Sequence, residues 1–422
     1  MSEVPKRIAA NLINALKGGV VPRVGLEYVT VGRAREITAI LNDLKLVEDG
    51  GAAFRFIVGK YGSGKSFLLQ TIRNHATARG FVVADADLSP ERRFAGTKGQ
   101  GLATYRELMR NLSTKAKPDG GALPLLLEKW LSGMQAGEDA HRRIAEIAMS
   151  LTGMVNGFEF AKAINAYWRA HLDGDDGRKA SALKWFRGES AGRREAREEL
   201  GINFTVTDET WYDFLKIMAA FFVSAGYKGL LVFVDELVNI SKIPFSVTRA
   251  NNYEKILTMY NDALQGKAGH IGFMMGGTPQ CMEDRHRGVF SYEALRSRLA
   301  EGHFAGDGLR DLQAPIIRLE MLSQEEVYVL LEKLQGIYAG LHGCRPPLGR
   351  EELLYFITVE YNRVGAGSHI TPREIIRDFI ELISILHQNP QKNAAEVLGD
   401  NSFAHARPDG GPESGAFAEF EI

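Results

Sequence analysis

The stretch Phe54-Arg-Phe-Ile-Val-Gly59-Lys-Tyr-Gly-Ser-Gly-Lys-Ser66 decides the fold. Its beginning is mainly apolar and predicts a buried β-strand, while Gly59 to Ser66 fit the phosphate-loop (P-loop) pattern G-x-x-x-x-G-K-[ST]. Glycines let such a loop curl so that its backbone N–H groups point at a phosphate, and the dipole of the following helix also favours an anion. Chance can produce a match of this length, but here a strand precedes the loop and a helix follows it, as the motif requires.

Each part of the loop has a predicted role in binding a nucleotide. Lys65 reaches the β- and γ-phosphates and is a candidate catalytic residue, and the Ser66 hydroxyl is a candidate ligand of Mg²⁺. The sequence therefore predicts ATP and Mg²⁺ as cofactors. The residues of this segment predicted to contact the nucleotide are Gly59, Lys60, Tyr61, Gly62, Ser63, Gly64, Lys65, Ser66 and Phe67.

Apolar runs elsewhere in the chain predict the remaining strands. Because strand, loop, helix and strand follow one another around the P-loop, we expect a βαβ unit, and hence a parallel sheet with helices on both faces. The fold class is therefore α/β. The further runs are Phe81 to Ala86, Leu230 to Val234, His270 to Met275 and Ile316 to Leu319.

The spacing of these runs predicts the domain organisation. The long interval after the second run has mainly helical patterns and reads as an insertion into a P-loop NTPase core, and the last third of the chain is all-helical up to a Gly-, Pro- and Glu-rich end. We expect an N-terminal helix and extended arm at 1–30, the core at 31–112 and 206–322, the insertion at 113–205, a helical lid at 323–390 and a flexible tail at 391–422.

The charge balance limits the kind of partner that the whole molecule attracts. The net charge is -1, so binding of DNA requires a local basic patch or a partner that supplies one. Residues 178–197 form a basic stretch that includes Trp185 and Phe186, a combination that suits nucleic acid. Interspersed glutamates favour a solvated helix instead.

Cysteine content and the N-terminus indicate a compartment. Cys281 and Cys344 are the only two cysteines and match no metal or redox spacing, so a reducing cytoplasm is the simplest location. The first residues have apolar positions at helical spacing and no continuous apolar run, so we expect neither a signal peptide nor association with a membrane.

Two carboxylates end the third predicted strand, Leu230-Leu-Val-Phe-Val-Asp235-Glu236. Acids at the end of a buried strand need a cation or hydrogen-bond donors. We expect Asp235 to hold Mg²⁺, through water or through Ser66, and Glu236 to be the general base that accepts a proton from the attacking water. The alternative is that both acids only favour the N-terminus of a helix.

A polar residue follows the fourth predicted strand at Gly276-Gly-Thr278-Pro279. Beside a P-loop, the Thr278 side chain would orient the water or contact the γ-phosphate. The alternative is a Gly-Thr-Pro turn with no role in catalysis.

Three arginines are candidates for stabilising transition-state charge. Arg296 and Arg298, two residues apart, cannot share a helix face, so one of them would cross a subunit boundary and act in trans. A solvated basic face or a local salt bridge is the alternative. Arg373 stands at a helix start that Thr371 caps, where a cation opposes the dipole; this mismatch suggests an anion nearby, unless the arginine pairs with a carboxylate.

Together these parts resemble AAA+ ATPases, near their origin-recognition and signal-transduction branches. Val31-Gly32-Arg-Ala-Arg-Glu36 looks like the box that precedes the P-loop there, so the resemblance implies that Val31 and Gly32 border the adenine. It further implies a sensor-1 role for Thr278, an arginine finger at Arg296 or Arg298, a sensor-2 role for Arg373, and a homo-oligomer.

A closer resemblance is to the ATP-binding proteins of bacteriophage exclusion (BREX) and related defence islands, BrxD-like. Four phrases carry it: VVPRVGLEYVTVGR, GKYGSGKSFLLQ, ADADLSPERRFAGTKGQGLATYRELMRNLS and SHITPREIIRDF. The resemblance implies a component of an antiphage system that is encoded beside a helicase-like protein.

Three functions compete on this evidence. The first is a motor or switch ATPase that acts on DNA, or on a DNA-bound partner, in antiphage defence. The second is a non-motor scaffold in which bound ATP orders a surface for protein interactions. The third, a small-molecule kinase, is disfavoured because the lid has no recognisable acceptor-pocket pattern.

Overall fold

The computed structural model describes residues 4–132, 153–300, 310–363 and 370–399, together with 142, 145–146, 149 and 151. The chain divides into two compact units. One unit is Thr30–Met321, and the other combines Met1–Val29 with Leu322–Ile422. The predicted flexible tail at 391–422 is described only up to residue 399, and there Ala394–Gly399 form a helix instead; from residue 400 onward the tail lies outside the described residues. Part of the predicted insertion at 113–205 also lies outside them.

A single five-stranded sheet organises the unit Thr30–Met321. All its pairings are parallel, and the order across the sheet is β2-β3-β4-β1-β5. Each predicted apolar run forms a strand, so the predicted α/β class is confirmed. The strands are β1 (Ala52–Gly59), β2 (Val82–Asp87), β3 (Leu230–Asp235), β4 (Ile271–Gly277) and β5 (Ile316–Leu319).

The described helices of the same unit lie between these strands. None of the described helices of either unit combines the length and the apolar character that crossing a membrane requires. Those of this unit are α3 (Ala34–Glu48), α4 (Lys65–Ala78), α5 (Gln100–Arg110), α6 (Leu123–Ser132), α7 (Gly157–Leu172), α8 (Asp176–Phe186), α9 (Arg193–Leu200), α10 (Trp211–Ser224), α11 (Val238–Ser241), α12 (Ser246–Leu264), α13 (Pro279–Glu283) and α14 (Glu293–Leu299), with a 3₁₀ turn at Val289–Ser291.

Helices cover both faces of the sheet, which explains why its strands are continuous apolar runs. Successive side chains of β3 alternate between two hydrophobic cores: Leu231 packs in the core formed with α3 and α4, and Val232 in the larger core on the opposite face. The carboxyl-terminal ends of the strands are therefore held in place by closely packed cores on both faces of the sheet.

The helices of the 113–205 region extend the larger core. Trp185 and Phe186 on α8 are 1% and 0% exposed. The Phe186 ring lies 5.2 Å from that of Phe160, and the Trp185 ring lies 5.5 Å from that of Phe214 on α10. These aromatic residues stabilise the fold and offer no face for stacking on a nucleic acid. The basic stretch at 178–197 therefore lacks the exposed aromatic rings on which its predicted suitability for nucleic acid partly depended.

The second unit is helical throughout its described elements. Its helix α1 packs against α15 and α17. A one-turn helix, α2, begins where an extended arm was expected: Gly25 adopts a φ of +81° that turns the chain, and Leu26 and Val29 are buried. The helices are α1 (Lys6–Lys17), α2 (Leu26–Val29), α15 (Gln324–His342), α16 (Arg350–Arg363), α17 (Pro372–Gln388) and α18 (Ala394–Gly399).

Candidate functional site

The P-loop connects the end of β1 to the start of α4. Gly62 and Gly64 have φ angles of +77° and +89°, which glycine adopts without strain, and no side chain caps α4. The backbone N–H groups of Gly62, Gly64, Lys65 and Ser66 have no acceptor among the residues that the structure describes. Converging N–H groups at a helix start fit the oxygen atoms of a phosphate.

Tight packing fixes the curl of this loop. A Cβ atom at Gly59 would lie 2.3 Å from the Ser63 hydroxyl oxygen and 3.1 Å from the Leu319 carbonyl oxygen, so only glycine fits there. The Ser63 hydroxyl is buried and has no hydrogen-bond partner within the described part of the chain. Because buried polar groups normally have partners, this orphan indicates that the loop is built for a polar ligand.

Lys65 lies on the loop with its ammonium close to the predicted phosphate position. The Lys65 Nζ atom donates to the carbonyl oxygens of Gly59 and Lys60, at 2.9 and 3.0 Å, and lies 5.4 Å from the centre of the Tyr61 ring. Burial lowers the pKa of Lys65, and the charges of Asp235 and Glu236 oppose that shift. The loop thus holds a cation that a phosphate can draw away from its two carbonyl partners.

The P-loop and the end of β3 meet directly. The Ser66 hydroxyl donates to the Asp235 carboxylate, with Oγ and Oδ2 3.0 Å apart. The room for this contact depends on Gly276 in β4, where a Cβ atom would lie 2.2 Å from the Asp235 Oδ1 atom. A hydroxyl and a carboxylate side by side are hard oxygen donors, so these residues fit Mg²⁺.

Glu236 follows Asp235 in a left-handed backbone conformation, with a φ of +61°. That conformation is uncommon for a residue other than glycine, and the Glu236 N–H donates to the Asp235 Oδ1 atom at 2.8 Å. The Glu236 side chain is exposed. Burial of part of the group raises the pKa of Glu236, and the neighbouring charges of Asp235 and Asp87 raise it further.

Asp87 is a third carboxylate at this sheet edge, and we did not predict it. It ends β2 and pairs in register with Asp235, and the Leu88 N–H donates to the Asp235 carbonyl. Burial raises the pKa of Asp87, with Asp235 as the next cause. The sequence contains the pattern that would have predicted Asp87, because the apolar run of β2, like that of β3, ends in aspartate.

Thr278 lies at the end of β4, which stands between β1 and β3 in the sheet. Its hydroxyl caps α13 by accepting from the Cys281 N–H at 3.2 Å, so the turn that we considered as an alternative is present. The position beside the P-loop strand is also the one expected for a phosphate-sensing residue. A catalytic role for Thr278 stays a prediction.

Arg33 anchors the segment that precedes the first core helix, and we assigned it no role. Its guanidinium is buried and donates to the Ser63 carbonyl at 3.1 Å and to the Glu320 carbonyl just after β5. It thereby brings Val31 and Gly32 close to the P-loop. A cavity of about 320 Å³ lies beside Gly59 and Glu320, and contact of Val31 or Gly32 with adenine stays a prediction.

Arg296 and Arg298 lie on α14, and their recorded contacts are local. The Arg298 Nη1 atom donates to the Ala294 carbonyl at 2.8 Å, and Arg296 forms a loose ion pair of 3.7 Å with the exposed Glu293. Within the described residues, neither guanidinium contacts the P-loop or Asp235. A role in trans stays a prediction.

Arg373 belongs to the other compact unit, at the start of α17. Thr371, Pro372 and Glu374 form the predicted N-cap, N1 and N3 positions, so the capping box is confirmed. The Arg373 Nε atom donates to the Gly19 carbonyl within the same unit. The sensor-2 assignment of Arg373 stays a prediction.

A glycine-lined loop with free N–H groups, a lysine within it and carboxylates facing it define a P-loop nucleotide-binding protein. The chain belongs to the family of BREX system ATP-binding proteins BrxC/D, whose family model matches residues 4–402. Its role is accordingly that of an ATP-binding protein in phage defence. A search of curated proteins found no match.

Proposed function

We propose that this protein hydrolyses ATP with Mg²⁺ in the cytoplasm and acts as a motor or switch on DNA, or on a DNA-bound partner, during phage defence. One observation carries the hydrolytic part: the hydroxyl that follows the P-loop lysine lies 3.0 Å from Asp235, and Glu236 comes next in the chain. Storage of a nucleotide needs only the loop, whereas a free carboxylate beside it supplies a base for an attacking water.

The residues divide the work of hydrolysis among them. The N–H groups at the start of α4 and the Lys65 ammonium bind and orient the phosphates. Ser66 and Asp235 would hold Mg²⁺, which when bound would supply positive charge that neutralises the phosphates. The Glu236 side chain is exposed and has no hydrogen bond to another side chain among those described. It orients a water and accepts its proton.

Four further residues complete the proposal. Thr278 would sense the γ-phosphate from the end of β4, and Arg373 would have the sensor-2 role that the resemblance to AAA+ ATPases implies. Arg296 or Arg298 would neutralise charge in a neighbouring copy, which requires a homo-oligomer. A helicase-like protein of the same defence system is the partner that this function would serve.

Phosphate release by the purified full-length protein tests the proposal. We expect Mg²⁺-dependent release of free phosphate that rises when DNA is added, together with a mass in solution larger than one chain when ATP is present. Release that is independent of Mg²⁺, or absent at millimolar ATP, would contradict hydrolysis. A monomer in every nucleotide state would remove the role in trans of Arg296 and Arg298, and unchanged defence by Glu236→Gln would favour the scaffold.

A further inference from the structure

An exposed loop region near the nucleotide site combines positive charge with apolar side chains. It lies just after α11, where the chain turns into α12, and beside the segment that follows α13. The region belongs to the Thr30–Met321 unit. Its members, which we call the basic loop patch, are Lys242, Phe245, Val247, Arg249, Arg285 and Arg287; Val247 and the half-buried Arg249 belong to the first turn of α12.

Hydrogen bonds hold the two halves of the basic loop patch together without neutralising it. The Arg249 Nη2 atom donates to the His286 carbonyl at 3.4 Å, and the Arg287 Nη2 atom donates to the Lys242 carbonyl at 3.2 Å. Among the described residues, no carboxylate forms an ion pair with any of its four basic side chains. Carbonyl partners position a guanidinium but leave its full charge to attract an anion.

One acidic side chain lies in the same segment, and its bonds are to the backbone. The Asp284 Oδ1 atom accepts from the N–H groups of His286 and Arg287, at 2.7 and 3.1 Å. Asp284 therefore shapes the turn that presents Arg285 and Arg287. The basic loop patch keeps an excess of positive charge on a molecule whose net charge is -1.

Phe245 and Val247 give this patch its second property. They are 74% and 73% exposed and lie two residues apart in sequence, whereas Trp185 of the basic stretch in the insertion is 1% exposed. An exposed aromatic ring with arginines around it matches the stacking surfaces that bind unpaired bases, while the arginines contact phosphates. A base pair inside a duplex offers no free face to such a ring.

A short path joins the basic loop patch to the nucleotide site. Only Leu237 and the single turn of α11 separate Glu236 from Lys242, and the Leu237 N–H donates to the Gly276 carbonyl at the end of β4. The Asn239 side chain donates to the Leu88 carbonyl after β2 at 2.8 Å. A DNA strand bound to the basic loop patch would therefore contact a segment that is hydrogen-bonded to the ends of β2 and β4, on either side of Asp235 at the end of β3.

We propose that the basic loop patch binds single-stranded DNA, with Phe245 stacked on a base and the arginines on its phosphates. This inference rests on the proposed action on DNA and names the surface that performs it. Because α11 links the patch to Glu236, DNA bound to the patch would stimulate ATP hydrolysis.

The test measures binding of a fluorescein-labelled single strand by fluorescence anisotropy with the full chain. The test variant is the double substitution Phe245→Ala/Arg285→Glu, since neither side chain has a recorded hydrogen bond among the described residues. The matched control is Phe158→Ala/Arg193→Glu, which removes an exposed ring and reverses an exposed arginine in the insertion. Thermal melting and phosphate release without DNA check that both variants fold.

We expect the test variant to bind the strand about tenfold or more weakly and to lose stimulation by DNA, while the control matches the wild type. The dependence of log affinity on log salt should fall by about 0.7 for the one lost phosphate contact. Wild-type affinity in the test variant, equal losses in both variants, or no binding of DNA by the wild type would each overturn the inference. Tighter binding of the duplex would also overturn it.

Phosphate release without DNA separates this inference from the proposed hydrolysis. A wild type that hydrolyses ATP while the patch variant keeps its affinity for the strand refutes only the basic loop patch. A wild type without hydrolysis refutes the proposed chemistry, whatever the anisotropy shows.

Discussion

The helices α4 and α17 begin in opposite ways. Gly64 precedes α4 in a left-handed conformation and supplies no side chain, so the first N–H groups of that helix have no acceptor among the described residues. Thr371 caps α17: its hydroxyl accepts from the Glu374 N–H at 3.3 Å, and the Glu374 carboxylate accepts from the Thr371 N–H at 2.8 Å. The dipole favours an anion at both starts, but no side chain takes up the first N–H groups of α4, whereas the capping box of α17 takes up the Glu374 N–H.

In α4 the missing cap leaves N–H groups that a phosphate can bind, within a P-loop that also supplies Lys65. A capping box satisfies the N–H groups locally and gains stability, whereas the P-loop leaves them for a ligand. Arg373, next to the closed start of α17, can contact an anion only with its side chain. Binding and chemistry should therefore respond to changes around α4 and hardly at all to changes in the cap of α17.

The largest expected effect is that of Glu236→Gln. The amide keeps the size of the side chain but cannot accept the proton of water, so phosphate release should fall about 10²- to 10⁴-fold while ATP still binds. Release of phosphate from a radiolabelled nucleotide measures the first quantity and filter binding the second. Glu332→Gln, at an exposed position of α15, is the control. Turnover at the wild-type rate would mean that α4 binds ATP without Glu236 acting as a base.

Asp235→Asn should act on the metal instead. The amide cannot provide the charge that pairs with Mg²⁺ beside Ser66, so the Mg²⁺ concentration needed for half-maximal turnover should rise about 10- to 100-fold. Titration of Mg²⁺ at saturating ATP measures it. Ser66→Thr, which keeps a hydroxyl, should stay near the wild type, whereas Ser66→Ala should follow Asp235→Asn. An unchanged requirement for Mg²⁺ in Asp235→Asn would refute this assignment.

Local patterns were enough to predict the features that local chemistry controls. The apolar runs from Phe54 and from Leu230 became strands because a sheet covered on both faces needs them, and the capping box at Thr371 follows from three neighbouring residues. The placement of Asp235 opposite Ser66 could be anticipated because parallel strands end at one edge. The sequence thus predicted that Ser66 and Asp235 would come together, as they do.

Features that depend on packing between distant segments were not predictable in this way. Arg33 contacts the Ser63 carbonyl and the Glu320 carbonyl, which only the folded chain brings together. Trp185 is buried although its neighbours in sequence are basic, and Phe245 is exposed although it lies among apolar residues, because each depends on which helices pack over it. Residue type alone predicts neither the burial of Trp185 nor the exposure of Phe245.

Arg33→Met tests how far the P-loop depends on support from outside its motif. It keeps a similar volume but leaves the buried Ser63 carbonyl and the partly buried Glu320 carbonyl without their donor, so the free energy of unfolding should fall by about 2 kcal/mol. Urea denaturation of the full chain measures this change, and its ATP affinity should fall as well. Arg35→Met, at an exposed position, is the control and should change stability by less than about 0.5 kcal/mol. Equal effects of both substitutions would show that Arg33 does not support the loop.

The smallest effect belongs to Thr371→Ala at the closed helix start. Loss of the cap should lower the free energy of unfolding by about 1 kcal/mol, and Thr371→Ser should restore most of it. Affinity for ATP should not change, because the N–H groups of α17 do not bind phosphate. A large loss of ATP affinity in Thr371→Ala, but not in Thr371→Ser, would contradict the proposed difference between the starts of α4 and α17.

Calorimetric titration of ATP with Mg²⁺ into the wild type and into Lys65→Ala tests most directly whether the start of α4 binds the phosphates. We expect one site per chain in the wild type. Loss of a charge-assisted contact of about 1.5 to 3 kcal/mol should weaken binding by roughly 10- to 150-fold in Lys65→Ala. Equal affinity in both proteins, or no heat of binding in the wild type, would contradict it.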